Sequence, residues 1–369
     1  MNLFLTGATG VIGGAVLAEF AQCDVECDFT ILVRASSTAE ASDRVRRSVE
    51  PYLGEAETGE LLRHCRFVCG DLASASEMPD RVADGVTHVL NLAANTSHSA
   101  RVRSREVNVD ATLAMMRRLL RGRRMERIVH VSTAVTYGDR PPAKLLYEDD
   151  YPAADATFSI AYAETKAEAE RELVALSDPR IAIAVPSIVV GHTQLGCKPS
   201  GSLYWTFRCI EALGFITWGR NNRIDVVPSD WVARALILLS TADKLDHRRY
   251  HVTAGNAGAV DWGDIARAYA RASGLPEDSA AYEVRPVAAY CRKRNDYASV
   301  FEGCNPRHMA GVFRHYRRFA AHDLTFDNQR LLDAGMPPPP RFTDYLALCE
   351  QTSGDRGILD QMGENAVDM

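Results

Sequence analysis

A membrane crossing needs roughly 18 consecutive apolar residues, and no run in this chain approaches that length. No leader is expected either. Met1 runs directly into an apolar stretch, without the basic segment and small-residue cleavage site of a signal peptide. A cytoplasmic protein is therefore expected. Charge of one sign is also lacking. With 42 Lys+Arg against 48 Asp+Glu, the 369 residues carry a net charge of −6. That balance gives no general attraction to nucleic acid or anionic membrane. Internal repeats and low-complexity segments are absent. So is a zinc pattern. The nine cysteines are odd in number, and Cys23/Cys27 and Cys65/Cys69 have no nearby His or further Cys to complete a ligand set. Free, buried thiols in a reducing compartment are expected, with no metal. At 46% hydrophobic and 24% charged residues, the chain reads as one large or two intimate globular domains.

What is present starts at the N-terminus, MNLFLTGATGVIGG. Asn2 to Thr6 reads as a short strand, and Val11, Ile12, Val16 and Leu17 begin a helical pattern. Between them Gly7, Gly10 and Gly13 recur every third residue. Strand, glycine turn and helix start form the phosphate cradle of a dinucleotide-binding unit. Gly7 permits the tight turn, Gly10 lets backbone approach a pyrophosphate, and Gly13 lets the helix pack on the strand. The helix N-terminus adds free N–H groups and a partial positive charge. Gly7, Thr9, Gly10, Val11, Ile12 and Gly13 are the expected cradle residues.

Further strands are predicted at 28–33, 66–69, 88–92, 128–131 and 181–185, separated by helices over 39–49, near Glu60, 101–121 and 159–176. This alternation implies an α/β fold with a doubly wound, mainly parallel sheet and a smaller C-terminal substrate-binding lid. Residues 1–191 with 225–255 are assigned to the dinucleotide-binding domain. Residues 192–224 with 256–350 are assigned to the lid, and 351–369 to a flexible tail. A short strand is predicted at 225–227, a helix from Asp230 capped by Ser229, and a strand at 249–252 returning to the main sheet. Ligands of such sheets lie beyond the carboxyl ends of the strands, so the strand ends converge on one crevice.

Two features there carry chemistry. Tyr162 and Lys166 in AYAETKAEAE are four residues apart, on one helix face. A phenol titrates near pH 10. A neighbouring ammonium favours the phenolate and lowers that pKa toward a useful range. Ser132 and Thr133 end the strand at 128–131, where a hydroxyl could hydrogen-bond a carbonyl oxygen as negative charge builds on it.

In order along the chain, TGATGVIGG, GDL at 70–72, NLAA at 91–94, VSTAVTYG at 131–138, YAETK at 162–166 and PSIVVG at 186–191 together resemble the extended short-chain dehydrogenase/reductase family over roughly residues 1–260. The resemblance implies Thr133, Tyr162 and Lys166 as the catalytic group, with alignment on Tyr137-Gly138 favouring Thr133 over Ser132. It implies that Asp71 and Leu72 meet an adenine, Ala93 and Ala94 line the cofactor, and Pro186, Ser187 and Ile188 lie at its nicotinamide end. Asn108 matches a recurrent structural asparagine. Within the family, ILVRASS, PSIVVGHTQLG, DVVPSDWVARAL and FDNQRLLDAGMPPPPRFTDYL are most similar to thioester reductases and fatty-acyl reductases. Two positions depart. Val185 stands where these reductases usually carry Arg, and His192 where an acidic residue is usual. His192 is read as a loop residue without a role.

An acidic residue after the second strand would bind the ribose 2′-OH of NAD. Arg34 stands there instead, followed by Ser36 and Ser37. A guanidinium suits a 2′-phosphate, so NADP(H) is expected. The arginine-rich helix over 101–121 reads as a solvated face. The bases and aromatics between Tyr290 and Phe319, Arg317 and Arg318 among them, lack a nucleic-acid module. They read as an amphipathic lid, or more sharply as a docking patch for the phosphate of coenzyme A or a pantetheine carrier. The expected enzyme is thus a free-standing NADPH-dependent oxidoreductase. It would reduce an acyl thioester, bound to coenzyme A or to an acyl carrier protein, or the derived aldehyde, in biosynthesis. The alternatives are a ketone or alcohol oxidoreductase or nucleotide-sugar epimerase/dehydratase of the same family, and a non-catalytic NADP-sensing protein. A homodimer is left open.

Overall fold

In the computed structural model seven strands form one parallel sheet. They are β1 (Asn2–Thr6), β2 (Asp28–Val33), β3 (Cys65–Cys69), β4 (His88–Asn91), β5 (Arg127–Val131), β6 (Ile181–Pro186) and β7 (Arg249–Val252). Their order is β7-β6-β5-β4-β1-β2-β3, with every neighbouring pair parallel. The structure describes residues 1–77, 80–97, 100–289, 320–353 and 356–366, with Phe301, Met309, Phe313 and Arg317 as isolated positions.

The sheet is buried on both sides, so its central strands are mostly apolar. Leu3, Phe4 and Leu5 are all inaccessible and divide by the two-residue period of a strand. Leu3 and Leu5, with Ile31, pack against Val16, Leu17 and Phe20 of the Val11–Gln22 helix, Val45 and Val49 of Thr38–Leu53, and Trp231 and Leu236 of Ser229–Thr241. Phe4, Val89 and Ile128 pack on the opposite face against Met115, Met116, Ala169 and Leu173. A third, aromatic-rich cluster is the core of the lid, where Tyr204, Trp205, Phe207, Trp218, Trp262, Phe342 and Tyr345 come together.

Several local features differ from the sequence reading. The helix expected over 101–121 is interrupted. Arg101–Arg105 and Thr112–Leu119 are α-helical, and Glu106–Ala111 between them is a π-turn. Its extra residue turns buried Asn108 inward, where Nδ2 donates to Asn95 O and Thr165 Oγ1, both at 2.9 Å. Ser229 does not cap its helix. It is the first residue of Ser229–Thr241, whose cap is Pro228, and its N–H donates to Gly191 O. The arginines of the 101–121 face are not simply solvated. Arg105 pairs with Asp110 and Glu168 at 3.0 and 2.8 Å, and Arg118 with Asp80 at 2.6 Å. Of the described cysteines, all free, only Cys197, Cys209 and Cys349 are buried. Strand β3 is an edge, so it leaves Cys69 in solvent. Cys291 and Cys304 lie outside the described residues.

The C-terminal part also differs. Thr325–Phe326 pairs with Leu145–Leu146, and Leu331 and Met336 join the core beside the Ser229–Thr241 helix. This stretch, expected in the lid, forms a separate two-stranded ladder and packs on the core of the sheet. The tail expected to be flexible from residue 351 is instead partly helical. Phe342–Ser353 runs past that point, and Ile358–Ala366 follows with Gln361 and Met362 buried against the lid.

The chain reverses its winding between β1 and β4, which are neighbours. The glycine turn after β1 and the Leu92–Ala94 segment after β4 therefore face each other across the switch point where such sheets bind ligands. Gly7 sits at φ 75°, and a Cβ there would lie 2.8 Å from Ala93 N. At Gly13 a Cβ would fall 2.2 Å from Gly7 O. Both neighbours are backbone and cannot yield. The variant Gly13→Ala is expected to lose about 1–3 kcal/mol of stability from overpacking and to weaken dinucleotide binding. Chemical denaturation and fluorescence titration with NADPH check both effects.

Candidate active site

The carboxyl ends of β1, β2, β4, β5 and β6 open onto one cleft of about 780 Å³. Every residue expected from the sequence to bind the cofactor or to act in catalysis lines it. Gly7, Thr9, Gly10, Val11, Ile12 and Gly13 form one end with Arg34, Asp71 and Leu72. Ala93 and Ala94 form the middle, and Thr133, Tyr162, Lys166, Pro186, Ser187 and Ile188 the other end. His192 is not among the lining residues. Its Nδ1 accepts from the backbone N–H groups of Gln194 and Leu195 at 3.1 and 3.3 Å, closing a turn. Glu19, His192 and Asp230 bring ligand atoms within 4.8 Å of one another, but Arg234 pairs with both carboxylates and supplies the positive charge.

The cradle fits an anion. Gly10 is the cap of the Val11–Gln22 helix and offers no side chain to its free N–H groups. A Cβ at Gly10 would meet nothing closer than 3.5 Å, so space is left above the helix start. At the end of β2, Arg34 is exposed, and Arg44 reaches back to hydrogen-bond its carbonyl. Both guanidiniums line the cleft, and neither makes an ion pair among the described residues. Ser36 and Ser37, in contrast, are engaged. Ser37 Oγ caps the Thr38–Leu53 helix, and Ser36 donates to Glu40 Oε2 at 2.6 Å. Asp71 is held at 3.4 Å by Arg103. Arg44 was not legible as a site residue, because it lies two turns into a helix that reads as polar throughout.

At the opposite end Ser132 and Thr133 part ways. Ser132 is buried and donates to Glu170 Oε2 at 2.6 Å. Its hydroxyl is thereby committed. Thr133, half-buried in the cleft wall, has its hydroxyl beside the Tyr162 phenol.

The ionisation of this group differs from the sequence expectation. Burial pushes the Tyr162 phenol up to about 12, with the neighbouring Thr133 hydroxyl working against it. Lys166 does not offset this, since burial pushes its own amine down to about 7 while Glu170 pulls the other way. A cation beside a phenol lowers its pKa only while it remains charged, and enclosure here discourages charge on both.

A hydrogen-bond chain behind Lys166 runs in one sense. Ala93 N–H donates to Thr6 Oγ1 at 3.1 Å. Thr6 Oγ1 donates to Asn91 Oδ1 at 2.6 Å, a length typical of O–H···O. That orientation leaves Asn91 Nδ2 to donate to His130 Nδ1 at 2.9 Å. Burial and then Lys166 hold His130 neutral, so its proton sits on Nε2, 3.2 Å from Lys166 Nζ. A neutral Lys166 amine accepts that proton, donates to Val131 O at 2.6 Å and keeps one N–H for the cleft. His130 and Asn91, inside strands, read from sequence as ordinary core positions.

Comparison with known proteins agrees with this architecture. A non-canonical nonribosomal peptide synthetase, FrzA of Cladobotryum sp, is 26% identical over 312 residues, 79% of this chain and 30% of that protein. An aldehyde reductase, lnbA of Aspergillus flavus, is 24% identical over 268 residues, 69% of this chain and 26% of that protein. The chain thus spans less than a third of the length of these relatives. The crystal structure of the terminal R domain from the myxalamid PKS-NRPS biosynthetic pathway superposes with a TM-score of 0.77 at 19% identity, covering 98% of this chain and 92% of that one. No helix among the described residues is long and apolar enough to cross a membrane. An NAD-binding family model described as Male sterility protein matches residues 5–236, well over half of the sequence, and the chain belongs to that family, within the extended short-chain dehydrogenases/reductases.

Proposed function

We propose that this protein is an NADPH-dependent reductase of acyl thioesters or of the aldehydes derived from them. The observation that carries the proposal is the Thr133–Tyr162 hydroxyl pair, with Lys166 beneath it, at one end of a cleft whose other end is the glycine cradle. NADPH would be held by Gly7 to Gly13, with its 2′-phosphate between Arg34 and Arg44, and would supply the hydride. Thr133 and Tyr162 then hold the substrate carbonyl oxygen. Tyr162, kept protonated by its enclosure, carries the proton that this oxygen needs as it gains negative charge. The remaining Lys166 N–H is placed for a cofactor ribose.

The thioester part of the reading is supported by the relatives. They include nonribosomal peptide synthetases as well as aldehyde reductases, and synthetases carry their intermediates as thioesters on carrier domains. With such a substrate, the first reduction would release an aldehyde as the thiol leaves, and a second would give the alcohol. The sheet fold is shared with UDP-glucose 4-epimerases, whose chemistry is the alternative. Two arginines at the end of β2, where NAD-binding folds place a carboxylate, support the NADPH reading over it.

Three outcomes are expected. Tyr162→Phe lowers NADPH oxidation with acyl-CoA, acyl-carrier and aldehyde substrates roughly 10²–10⁴-fold, while NADPH binding persists. Turnover near the wild-type rate refutes the assignment. In a kinetic comparison of the two cofactors, Arg34→Asp reduces the preference for NADPH over NADH by about 10- to 100-fold, the scale of one lost charge-assisted hydrogen bond. Lys166 titrates at about 7 in the fold against an ordinary 10.5. Between those values the unfolded chain binds a proton there that the folded one does not, so stability at this site rises with pH. Measured by denaturation, the stability of wild type relative to Lys166→Met should rise by about 1.4 kcal/mol per pH unit from pH 7 to 10. A pH-independent difference contradicts a depressed lysine.

A further inference from the structure

A side chamber of about 90 Å³ opens off the reacting end of the cleft. Val135, Ile188, Leu203 and Ile224 line both spaces and form the throat between them. Val135 lies two residues beyond Thr133, in the short turn that follows β5. The chamber's inner wall is aromatic and aliphatic, built from Phe207, Ile210, Trp218 and Trp262. Phe207 stacks on Trp262 with ring centroids 5.9 Å apart, and Trp218 meets Trp262 edge-on at 5.0 Å. These rings brace one another and are themselves buried. Arg317, expected on a phosphate-docking surface, belongs to this wall instead, while Arg318 lies outside the described residues. Apart from Arg317 and Thr206 the lining is aliphatic and aromatic, so the chamber favours a hydrocarbon group over a sugar.

We propose that this chamber is the acyl-chain subsite, and that it makes the protein selective for short aliphatic acyl groups of about five or six carbons. The proposal rests on the reductase reading and names its substrate class. Its size follows from comparison. An apolar cavity of about 150 Å³ holds benzene and stays dry. A space of 90 Å³ accepts correspondingly about three or four carbons. With the carbonyl carbon at Thr133 and Tyr162, and one further carbon crossing the throat, the whole acyl group reaches five or six. Longer chains meet the Trp218–Trp262 wall, and acetyl leaves the chamber empty. A nucleotide-sugar substrate would have nothing to place there.

The test uses the full chain with NADPH and straight-chain aldehydes from ethanal to decanal. kcat/KM is expected to rise about fourfold per added methylene, corresponding to about 0.8 kcal/mol each, and to stop rising at five or six carbons. Ile210→Phe, which fills the inner wall, should move that limit down by two or more carbons. A second readout does not depend on turnover. Trp205, Trp218 and Trp262 all line the chamber, so pentanamide or hexanamide added to the protein with NADP⁺ should shift tryptophan emission, and acetamide should not. Saturable emission changes with pentanamide, together with no reduction of any aldehyde, would uphold the chamber and sink the reductase reading. A flat chain-length profile from two to ten carbons, or emission indifferent to chain length, overturns the chamber.

Discussion

The ion pair between Arg249 and Glu170 holds the reacting end of the cleft in place. Nε of Arg249 lies 2.7 Å from Glu170 Oε1, and both side chains are wholly inaccessible. Two charges withdrawn from water are tolerated only when nearly every donor and acceptor is used, and here most are. The second Glu170 oxygen takes the Ser132 hydroxyl. Arg249 Nη1 donates to the Tyr137 hydroxyl at 2.8 Å and to Asp150 O at 3.1 Å. One pair therefore ties the edge strand β7, the strand end of β5 and the Ala161–Ala175 helix together. Glu170 stands one turn from Lys166 on that helix, so the position of the lysine and phenol relative to β5 is set by this contact. The same contact decides which of two adjacent hydroxyls is left for a substrate. Ser132 is spent on the carboxylate, and Thr133 remains.

Cofactor end and reacting end are also joined through the backbone. The Ala93 amide, in the wall of the cleft, is the first donor of a chain that runs through Thr6, Asn91 and His130 to Lys166. Thr6, Asn91 and His130 are buried on strands β1, β4 and β5, where an unmatched polar group would be expensive. The direction of the chain follows from Asn91, whose Oδ1 can only accept from Thr6 and whose Nδ2 can only donate to His130.

The fold was legible because its signals are local and repeated. Mostly apolar strands, glycines at 7, 10 and 13, and helical spacing between strands each follow from backbone geometry. Spacing put Tyr162 and Lys166 on one helix face and left Ser132 and Thr133 as alternatives at a strand end; the family resemblance joined Thr133 to the other two. What the sequence did not show depends on long-range contacts. Arg44 joins Arg34 only once the helix after β2 is docked. The π-turn at Glu106–Ala111 has no distinctive composition. The return of Thr325–Phe326 to Leu145–Leu146 crosses nearly half the chain. The ionisation of Tyr162 ran against expectation because spacing on a helix reports proximity and says nothing about enclosure.

Strand β7 comes late in the chain, after the first helix of the lid, yet it closes the edge of the sheet beside β6, with Tyr250 against Ala184 and His251 against Val185. During synthesis at about 5–20 residues per second, β6 therefore waits several seconds with an open, apolar edge, and Glu170 waits without its arginine. Such an edge is a template for unwanted pairing. The order in which this chain leaves the ribosome thus makes residues 249–252 the latch of the nascent protein, and the interval before they emerge is when it most needs a chaperone.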